Sequence, residues 1–369
     1  MANIHITLVG GQTTPVYQGI IATNPDRVIL IHSAQTETEA SRIYAEMEVN
    51  CELCKLDPVN LHQIINAVLK LKESFSVKDR ITINVGGGTK PWSIMFYEHF
   101  HEEENAQLFY IDQNNLMWNL KTNEKSEVSF DMDVQFRLLG NELMKYQKIE
   151  DFTDADRILI SEIRELRSFN FQDFNEIADY LSRYRNQTTA IAQFGAGSVM
   201  TWDKSTKCFE VLMRKKNGDM LRKSLSSEHV RNLVLNFGWF EYEIANLLAA
   251  WDKTKQIRLN CVFPSKNGSP KNEIDIIVNT GSKLLFVECK TQIKNETDID
   301  KFASAVKVYG GLGSKALFIT DYHMTEKALE KCADHGIMSF CLHSNLAHFP
   351  AESQLFKMLD SELFNLNAK

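Results

Sequence analysis

EIDIIVNTGSKLLFVECKT, residues 273–291, reads as two apolar strands joined by Gly281-Ser282, a pair that suits a type II′ hairpin turn. If these two residues form the loop, counting outward along both strands places Asp275 opposite Glu288. Side chains alternate between the two faces of a strand, so the two carboxylates share one face. The sequence therefore predicts an acidic pair inside an apolar hairpin.

Two opposed carboxylates need a cation or a proton between them. Directly opposed Cβ atoms lie about 4.5–5.5 Å apart, and charges at that distance repel. The same register places Glu273 opposite Lys290, whose ammonium then lies beside the acidic pair. A divalent cation would satisfy Asp275 and Glu288, and Lys290 could hold an attacking water or a phosphate oxygen. The pattern predicts a metal-dependent hydrolytic site on this hairpin.

Helices and strands flank the hairpin in the order α-β-β-β-α-β. The apolar patterns predict a helix over 232–251, a strand over 257–263, the two hairpin strands, a helix over 297–309 and a strand over 315–320. With Asp275 on one strand and Glu288-Cys289-Lys290 on the next, this order resembles the PD-(D/E)xK nuclease superfamily of restriction-endonuclease-like folds. Glu-Ile-Asp stands where the name of the motif has Pro-Asp, and the essential acid is kept.

That resemblance implies an endonuclease that hydrolyses phosphodiesters. It assigns Mg²⁺ or Mn²⁺ to Asp275, Glu288 and the carbonyl of Cys289. It makes Lys290 the residue that orients the nucleophile and stabilises developing charge. The helix carboxylate of the superfamily corresponds best to Glu241, with Glu243 as the alternative.

Strands and helices alternate through the first third of the chain. This alternation predicts a doubly wound parallel sheet with strand order 3-2-1-4-5, in which the ends of the first and fourth strands share a crevice. Glycine-rich loops, 10–14 and 86–90, follow those two strands, each directly before a helix. Glycines here could serve only to let each strand turn into its helix, but two such loops at one crevice favour an anion site built from their amides and polar side chains. Neither loop is a dinucleotide fingerprint or a Walker A loop, since GxGxxG is absent and Pro91 follows Lys90.

These two loops resemble those of the CRISPR-associated Rossmann-fold (CARF) sensor domain. The resemblance implies a cyclic oligoadenylate bound across the two-fold axis of a homodimer. It assigns ligand contacts to Gly11, Gln12, Thr13, Thr14, Ser33, Gly87, Gly88, Thr89 and Lys90.

The whole chain divides into a sensor domain over 1–140, a connector over 141–228 and a nuclease domain over 229–369. The connector pattern is helical, followed by a hairpin around Asn217-Gly218, a two-residue turn signal. The arms of this hairpin carry the basic residues Arg214, Lys215, Lys216, Arg222 and Lys223. They would either follow a phosphate backbone or form a solvated edge.

Composition excludes several classes of protein. The 369 residues, 44% hydrophobic and 24% charged, predict a folded protein of two domains or more, and the net charge of −7 requires any polyanion site to be local. Seven cysteines, including the CxxC pair Cys51 and Cys54, favour reduced thiols over a disulfide framework or a zinc site. With no apolar run of 18 residues and no signal-peptide pattern, the expected location is the cytoplasm, away from membranes.

Sensor and nuclease in this order resemble the CARF–PD-(D/E)xK ancillary nucleases of type III CRISPR antiviral defence. That family implies an allosteric homodimer, activated by cyclic tetra-adenylate or hexa-adenylate, that cuts single-stranded or duplex DNA or RNA with little sequence preference. Two other functions remain open at this point. One is a nucleotide-sensing regulator that binds nucleic acid without cutting, and the other is a constitutive repair or restriction nuclease.

Overall fold

A computed structural model describes residues 1–184, 187–265, 267–293, 295–311, 313–342 and 351–365. Within them, no helix is both long and apolar enough to cross a membrane. The described chain forms three sheets, of which the first and last carry the candidate sites.

The N-terminal sheet has the strand order β3-β2-β1-β4-β5-β6-β7 within residues 1–140, all of them described. Its strands are β1 Asn3–Leu8, β2 Arg27–His32, β3 Asn50–Lys55, β4 Arg80–Asn84, β5 Ala106–Ile111, β6 Leu116–Asn119 and β7 Lys125–Glu127. Its helices are α1 Thr14–Thr23, α2 Glu37–Ala45, α3 Leu61–Glu73, α4 Lys90–Phe100 and α5 Met132–Leu138. The predicted parallel order of the first five strands is confirmed. The antiparallel extension β6–β7 was not predicted.

Helices on both faces of this sheet explain its apolar strands. The last five of the six residues are buried in both β1 and β2, a pattern typical of parallel strands covered on two sides. One apolar cluster packs α3 and α4 against the sheet, and another packs α1 and α2 against the opposite face. This packing fixes the loops that follow the parallel strands at the carboxyl edge of the sheet.

The middle of the chain contains more sheet than the sequence pattern indicates. It comprises β8 Lys145–Gln147, a short 3₁₀ turn, α6 Asp154–Phe169, α7 Phe171–Ser182, and the antiparallel strands β9 Thr189–Phe194, β10 Ser198–Asp203, β11 Cys208–Arg214 and β12 Met220–Ser226. The predicted two-residue turn is wrong by one residue. Arg214 pairs with Met220, and the amide of Lys215 bonds to Asp219, which leaves a three-residue loop closed by Gly218 at φ 94°. Three-residue hairpin loops commonly end with one residue in the left-handed conformation, and Gly218 takes that position here.

The C-terminal sheet has the strand order β17-β16-β15-β14-β13-β8 in the described residues. Its further elements are α8 Val230–Leu235, α9 Gly238–Ala249, β13 Gln256–Pro264, β14 Pro270–Asn279, β15 Leu284–Lys290, α10 Thr297–Tyr309, β16 Lys315–Thr320, α11 Glu326–Asp334, β17 Met338–Cys341 and α12 Ala351–Phe364. The predicted order α-β-β-β-α-β is confirmed. One apolar cluster joins α9 to the sheet, and a second joins α10 to its other face.

The single helix predicted over 232–251 is wrong, because the chain breaks between α8 and α9. Phe237 has a left-handed φ of 59°, and Gly238 packs so closely that a Cβ there would lie 2.8 Å from the Asn232 side chain. Apolar residues continue through the break, so their periodicity hides it. As a result Glu241 lies in the first turn of a new helix.

Candidate functional site

The register predicted for the acidic hairpin is confirmed. Cα partners run from Asn279–Leu284 to Ile276–Val287, and the amide of Thr280 bonds to the carbonyl of Lys283 at 3.0 Å. Gly281 has a φ of 85°, as the first central position of a type II′ turn requires. The pairing of β14 with β15 ends at Ile276–Val287, so the predicted partners Asp275–Glu288 and Glu273–Lys290 lie just beyond the paired residues.

Asp275 and Glu288 are brought together around the ammonium group of Lys290. Lys290 Nζ lies 2.6 Å from Glu288 Oε1 and 3.6 Å from Asp275 Oδ2. Asp275 Oδ2 also accepts a hydrogen bond of 2.7 Å from the backbone amide of Cys289. The three side chains are between 12% and 33% exposed, so a narrow opening connects them to solvent. A single cation thus already contacts both carboxylates.

The electrostatics of this cluster favour cations strongly. Burial, followed by the charge of Asp275, raises the pKa of Glu288 to about 7. Burial opposes the charge on Lys290, but the carboxylates of Asp275 and Glu288 outweigh it and raise the pKa of the ammonium. The site therefore holds acidic groups whose charges require compensation.

Of the two candidate helix glutamates, Glu241 faces the cluster. Burial and then the charge of Asp275 raise its pKa well above the usual value. Glu243 instead forms an ion pair with Arg164, whose Nη2 lies 2.5 Å from Glu243 Oε2. The sequence left Glu241 and Glu243 open as the helix carboxylate. The contacts of the two side chains favour Glu241.

The donor set fits a hard divalent cation. Carboxylate oxygens suit Mg²⁺ or Mn²⁺, and Asp275 and Glu288 already share one positive group. Burial raises the pKa of the Cys289 thiol well above its usual value, so this residue would contribute its carbonyl oxygen and not a thiolate. The described residues contain no group of three or more His, Cys, Asp or Glu side chains placed to hold a metal. The candidate set is accordingly two carboxylates and a carbonyl.

Next to the cluster lies a network of ion pairs that no sequence pattern indicates. Arg164 of α6 also reaches Asp321 at 2.6 Å, and Arg167 forms a second ion pair with the same carboxylate. Asp321 follows β16, and its amide bonds to the carbonyl of Lys290 at 3.3 Å. Because α6 comes from the connector, about 120 residues before the hairpin in the chain, only the tertiary fold unites these groups.

The two glycine-rich loops of the N-terminal domain touch each other. A Cβ on Gly10 would lie 3.0 Å from the amide nitrogen of Gly88, and a Cβ on Gly87 would overlap the carbonyl oxygen of Leu8. Gly88 also has a φ of 68°, which side chains rarely adopt. Glycine is thus needed at 87 and 88 for the loops to meet.

The polar side chains of these loops divide into bonded and exposed groups. The hydroxyl of Thr13 donates to the carbonyl of Leu138 at 3.3 Å, and that of Thr89 donates to Pro58 at 2.8 Å. Ser33 is buried, and its hydroxyl accepts a hydrogen bond from the amide of Gln35. Gly11, Gln12 and Lys90 are exposed, while Thr14 is half-buried. Thr13, Ser33 and Thr89 therefore order the loops, and the exposed groups can meet a ligand.

A cavity of about 730 Å³ lies between the N-terminal loop 11–14, the turn 112–115 and the C-terminal domain. The turn between β14 and β15 forms part of its wall, at Ser282 and Lys283. The side-chain amide of Asn115 donates to the carbonyl of Ser282 and so joins the two domains directly.

Residues 4–138 match the family model of the Card1 CARF domain. The N-terminal domain is a CARF domain. A comparison with curated proteins finds no match for the chain.

Solved structures share the fold of the whole chain around this CARF domain. Can2 from Sulfobacillus thermosulfidooxidans, in complex with cyclic tetra-adenylate, is 17% identical with a TM-score of 0.69, over 98% of this chain and 99% of Can2. Protein VC1899 from Vibrio cholerae is 14% identical with a TM-score of 0.74, over 98% of each chain. A type III CRISPR defence DNA nuclease activated by cyclic oligoadenylate is 16% identical with a TM-score of 0.58, over 95% of this chain and 53% of that one. The fold class predicted from the sequence, a CARF domain followed by a connector and a C-terminal sheet domain, is confirmed.

Two further sequence features have structural explanations. Lys223 of the basic hairpin lies 2.8 Å from Glu165 of α6, and Lys215 lies 4.4 Å from the Phe169 ring centre. Cys51 and Cys54 lie three residues apart on β3 and point to opposite faces; burial raises the pKa of Cys51 to about 11. Neither thiol is therefore activated at neutral pH.

Proposed function

We propose that this chain is a metal-dependent endonuclease of type III CRISPR antiviral defence, activated by a cyclic oligoadenylate. The observation that carries the proposal is Lys290 between the buried carboxylates Asp275 and Glu288, on a hairpin whose turn contacts a CARF domain. The fold shared with Can2 and with the CRISPR defence nuclease supports both halves of it.

In the nuclease half, the carboxylates of Asp275 and Glu288 and the carbonyl of Cys289 hold Mg²⁺ or Mn²⁺. A bound ion would lower the pKa of water and compensate charge on the scissile phosphate. Lys290 exchanges its contact with Glu288 for the attacking water or a phosphate oxygen, which it stabilises as negative charge develops. Glu241, whose pKa is raised by burial, transfers a proton at the same site.

In the sensor half, the contacting loops 10–14 and 86–90 bind the phosphates of cyclic tetra-adenylate, with hexa-adenylate as the alternative ring. The amides of Gly11, Gly87 and Gly88 and the exposed ammonium of Lys90 supply the donors. A cyclic ligand of this size bridges two such sites, so the active protein is a homodimer. The ligand favours the active state only by binding it more tightly than the resting one.

The functional division follows the domains at 1–140 for the sensor, 141–228 for the connector and 229–369 for the nuclease. DNA and RNA, single-stranded or duplex, are all chemically compatible with the site, because the reacting group is the phosphodiester.

The test incubates purified protein with Mn²⁺ and labelled single-stranded DNA, supercoiled plasmid or RNA, with and without cyclic tetra-adenylate. We expect cleavage only with activator, and at least 100-fold less with Glu288→Ala. Cleavage without activator would favour a constitutive repair or restriction nuclease. Binding without cleavage, with hexa-adenylate also tested, would favour a regulator that only binds nucleic acid.

A further inference from the structure

Tyr322 lies just beyond the end of β16 and forms an aromatic pair with Phe171. The strand β16 pairs with β15, which carries Lys290. The rings of Tyr322 and Phe171 stack with their centres 4.9 Å apart and an interplanar angle of 29°. Tyr322 is 41% exposed, so part of its ring is accessible to a ligand. Phe171 begins α7, so the pair joins the connector to the C-terminal sheet.

The parallel register of β15 and β16 places this pair near the nuclease cluster. Lys290 is the partner of Thr320, and Asp321 bonds to the carbonyl of Lys290 at 3.3 Å. Tyr322 follows Asp321 directly, just beyond the end of β16. It is therefore one residue away from a direct backbone contact with Lys290.

The support behind Tyr322 is rigid. The guanidinium of Arg167 lies 4.5 Å from the centre of the Phe171 ring, and Arg167 is only 3% exposed. Asp321 pairs with both Arg167 and Arg164, which fixes the segment before Tyr322 to α6. A ring held in this way loses little conformational entropy when a ligand stacks on it.

The chemistry that recognises a rigid, exposed aromatic ring is the flat face of an unpaired base. Base–aromatic stacking contributes about 1–3 kcal/mol per base and tolerates any sequence. In a duplex each base face already stacks on its neighbour, so a duplex gains little from such a ring.

We propose that Tyr322, supported by Phe171, stacks on an unpaired base near the scissile phosphate and so positions the strand at Lys290. This inference rests on the proposed nuclease function and adds a residue that binds substrate outside the carboxylate cluster. Tyr322 sets KM for unpaired strands, because stacking holds substrate and transition state equally.

The test compares Tyr322→Ala and Tyr322→Trp in the full-length protein with cyclic tetra-adenylate and Mn²⁺. We expect Tyr322→Ala to raise KM for single-stranded DNA and RNA by about 5- to 100-fold, from the stacking energy, with kcat within threefold. Tyr322→Trp should restore KM to within threefold. The matched control is Tyr184→Ala, since Tyr184 is a similarly exposed ring, 37% exposed, that stacks on Tyr180 at 5.0 Å within α7 and its end.

A second measurement does not depend on cleavage. A single-stranded oligonucleotide carrying 2-aminopurine is titrated with each variant in EDTA, where stacking on a ring quenches its fluorescence. Quenching by the wild type and Tyr322→Trp, lost in Tyr322→Ala, supports the stacking role even if no cleavage is found. Unchanged KM and quenching in Tyr322→Ala, or a kcat loss that Tyr322→Trp does not restore, would overturn it. If the wild type neither cuts nor quenches, both the nuclease and the stacking proposals fail.

Discussion

Lys290 already occupies the place of a counter-charge between two buried carboxylates. Its ammonium contacts Asp275 and Glu288, while Glu241 approaches from α9 without a cation of its own in the described structure. Buried carboxylates without a partner are costly, because ionisation in a poorly solvated site is unfavourable. The carboxylates that we propose for the chemistry are therefore expected to reduce the stability of the fold.

Glu241→Gln is predicted to stabilise the protein in EDTA. Burial and the charge of Asp275 raise the pKa of Glu241, so its ionisation costs stability as the pH rises above the unfolded value of 4.5. We expect the variant to have a Tm about 2–4 °C higher at pH 7 and a flatter dependence of Tm on pH. Glu243→Gln is the control and should lower Tm, since it breaks the ion pair with Arg164. An equal fall in Tm for both variants would contradict the placement of Glu241.

Lys90→Ala is predicted to weaken activation without affecting chemistry. Lys90 is exposed at the first residue of α4, beside the contacting glycine loops. Losing one charge-assisted contact should raise the activator concentration for half-maximal cleavage about tenfold, with cleavage at saturation within twofold. Lys70→Ala, an exposed lysine on α3, should leave the dose response unchanged. A dose response unaltered by Lys90→Ala would contradict the ligand site.

At the scale of elements, one hairpin connects the two candidate sites. The strands β14 and β15 carry Asp275 and Glu288, and their turn receives a hydrogen bond from Asn115 in the turn between β5 and β6. The cavity beside this contact is also lined by the loop 11–14. If a ligand shifts that loop, as we propose, the shift has a short route to β14 and β15.

Asn115→Gly is predicted to uncouple ligand binding from cleavage. Glycine tolerates the φ of 56° at this position, so the substitution removes the amide without straining the turn. We expect the stimulation of cleavage by cyclic tetra-adenylate to fall at least fivefold, while calorimetric affinity for the ligand stays within twofold. Asn123→Gly, at φ 59° in the neighbouring turn, is the matched control and should retain full stimulation. Full stimulation of Asn115→Gly would show that coupling uses another contact.

At the scale of the whole molecule, the proposed function requires an acidic chain to bind two polyanions. With a net charge of −7, long-range attraction is absent, and local donors at the loops and at Lys290 have to supply it. One CARF domain presents a single pair of glycine loops, whereas a cyclic ligand has repeated phosphates around its ring. The proposed function therefore places two copies of the chain around the ring.

Light scattering at micromolar concentration is predicted to give twice the mass of one chain. Adding cyclic tetra-adenylate should leave that mass unchanged, and titration calorimetry should give one ligand per two chains. A stoichiometry of one ligand per chain would contradict a shared site on the two-fold axis.

The local sequence pattern was sufficient to predict those structural features that depend only on residues close together in the chain. The alternation of strands and helices predicts the CARF sheet, and the Gly281-Ser282 turn predicts the pairing of the acidic hairpin, because turn length determines register. Tertiary structure decided the rest. The break at Phe237, the choice between Glu241 and Glu243, and the meeting of Arg164 with Asp321 depend on packing between distant segments. Periodicity records which residues are buried but not which distant group each one meets, since that is set by how the elements pack.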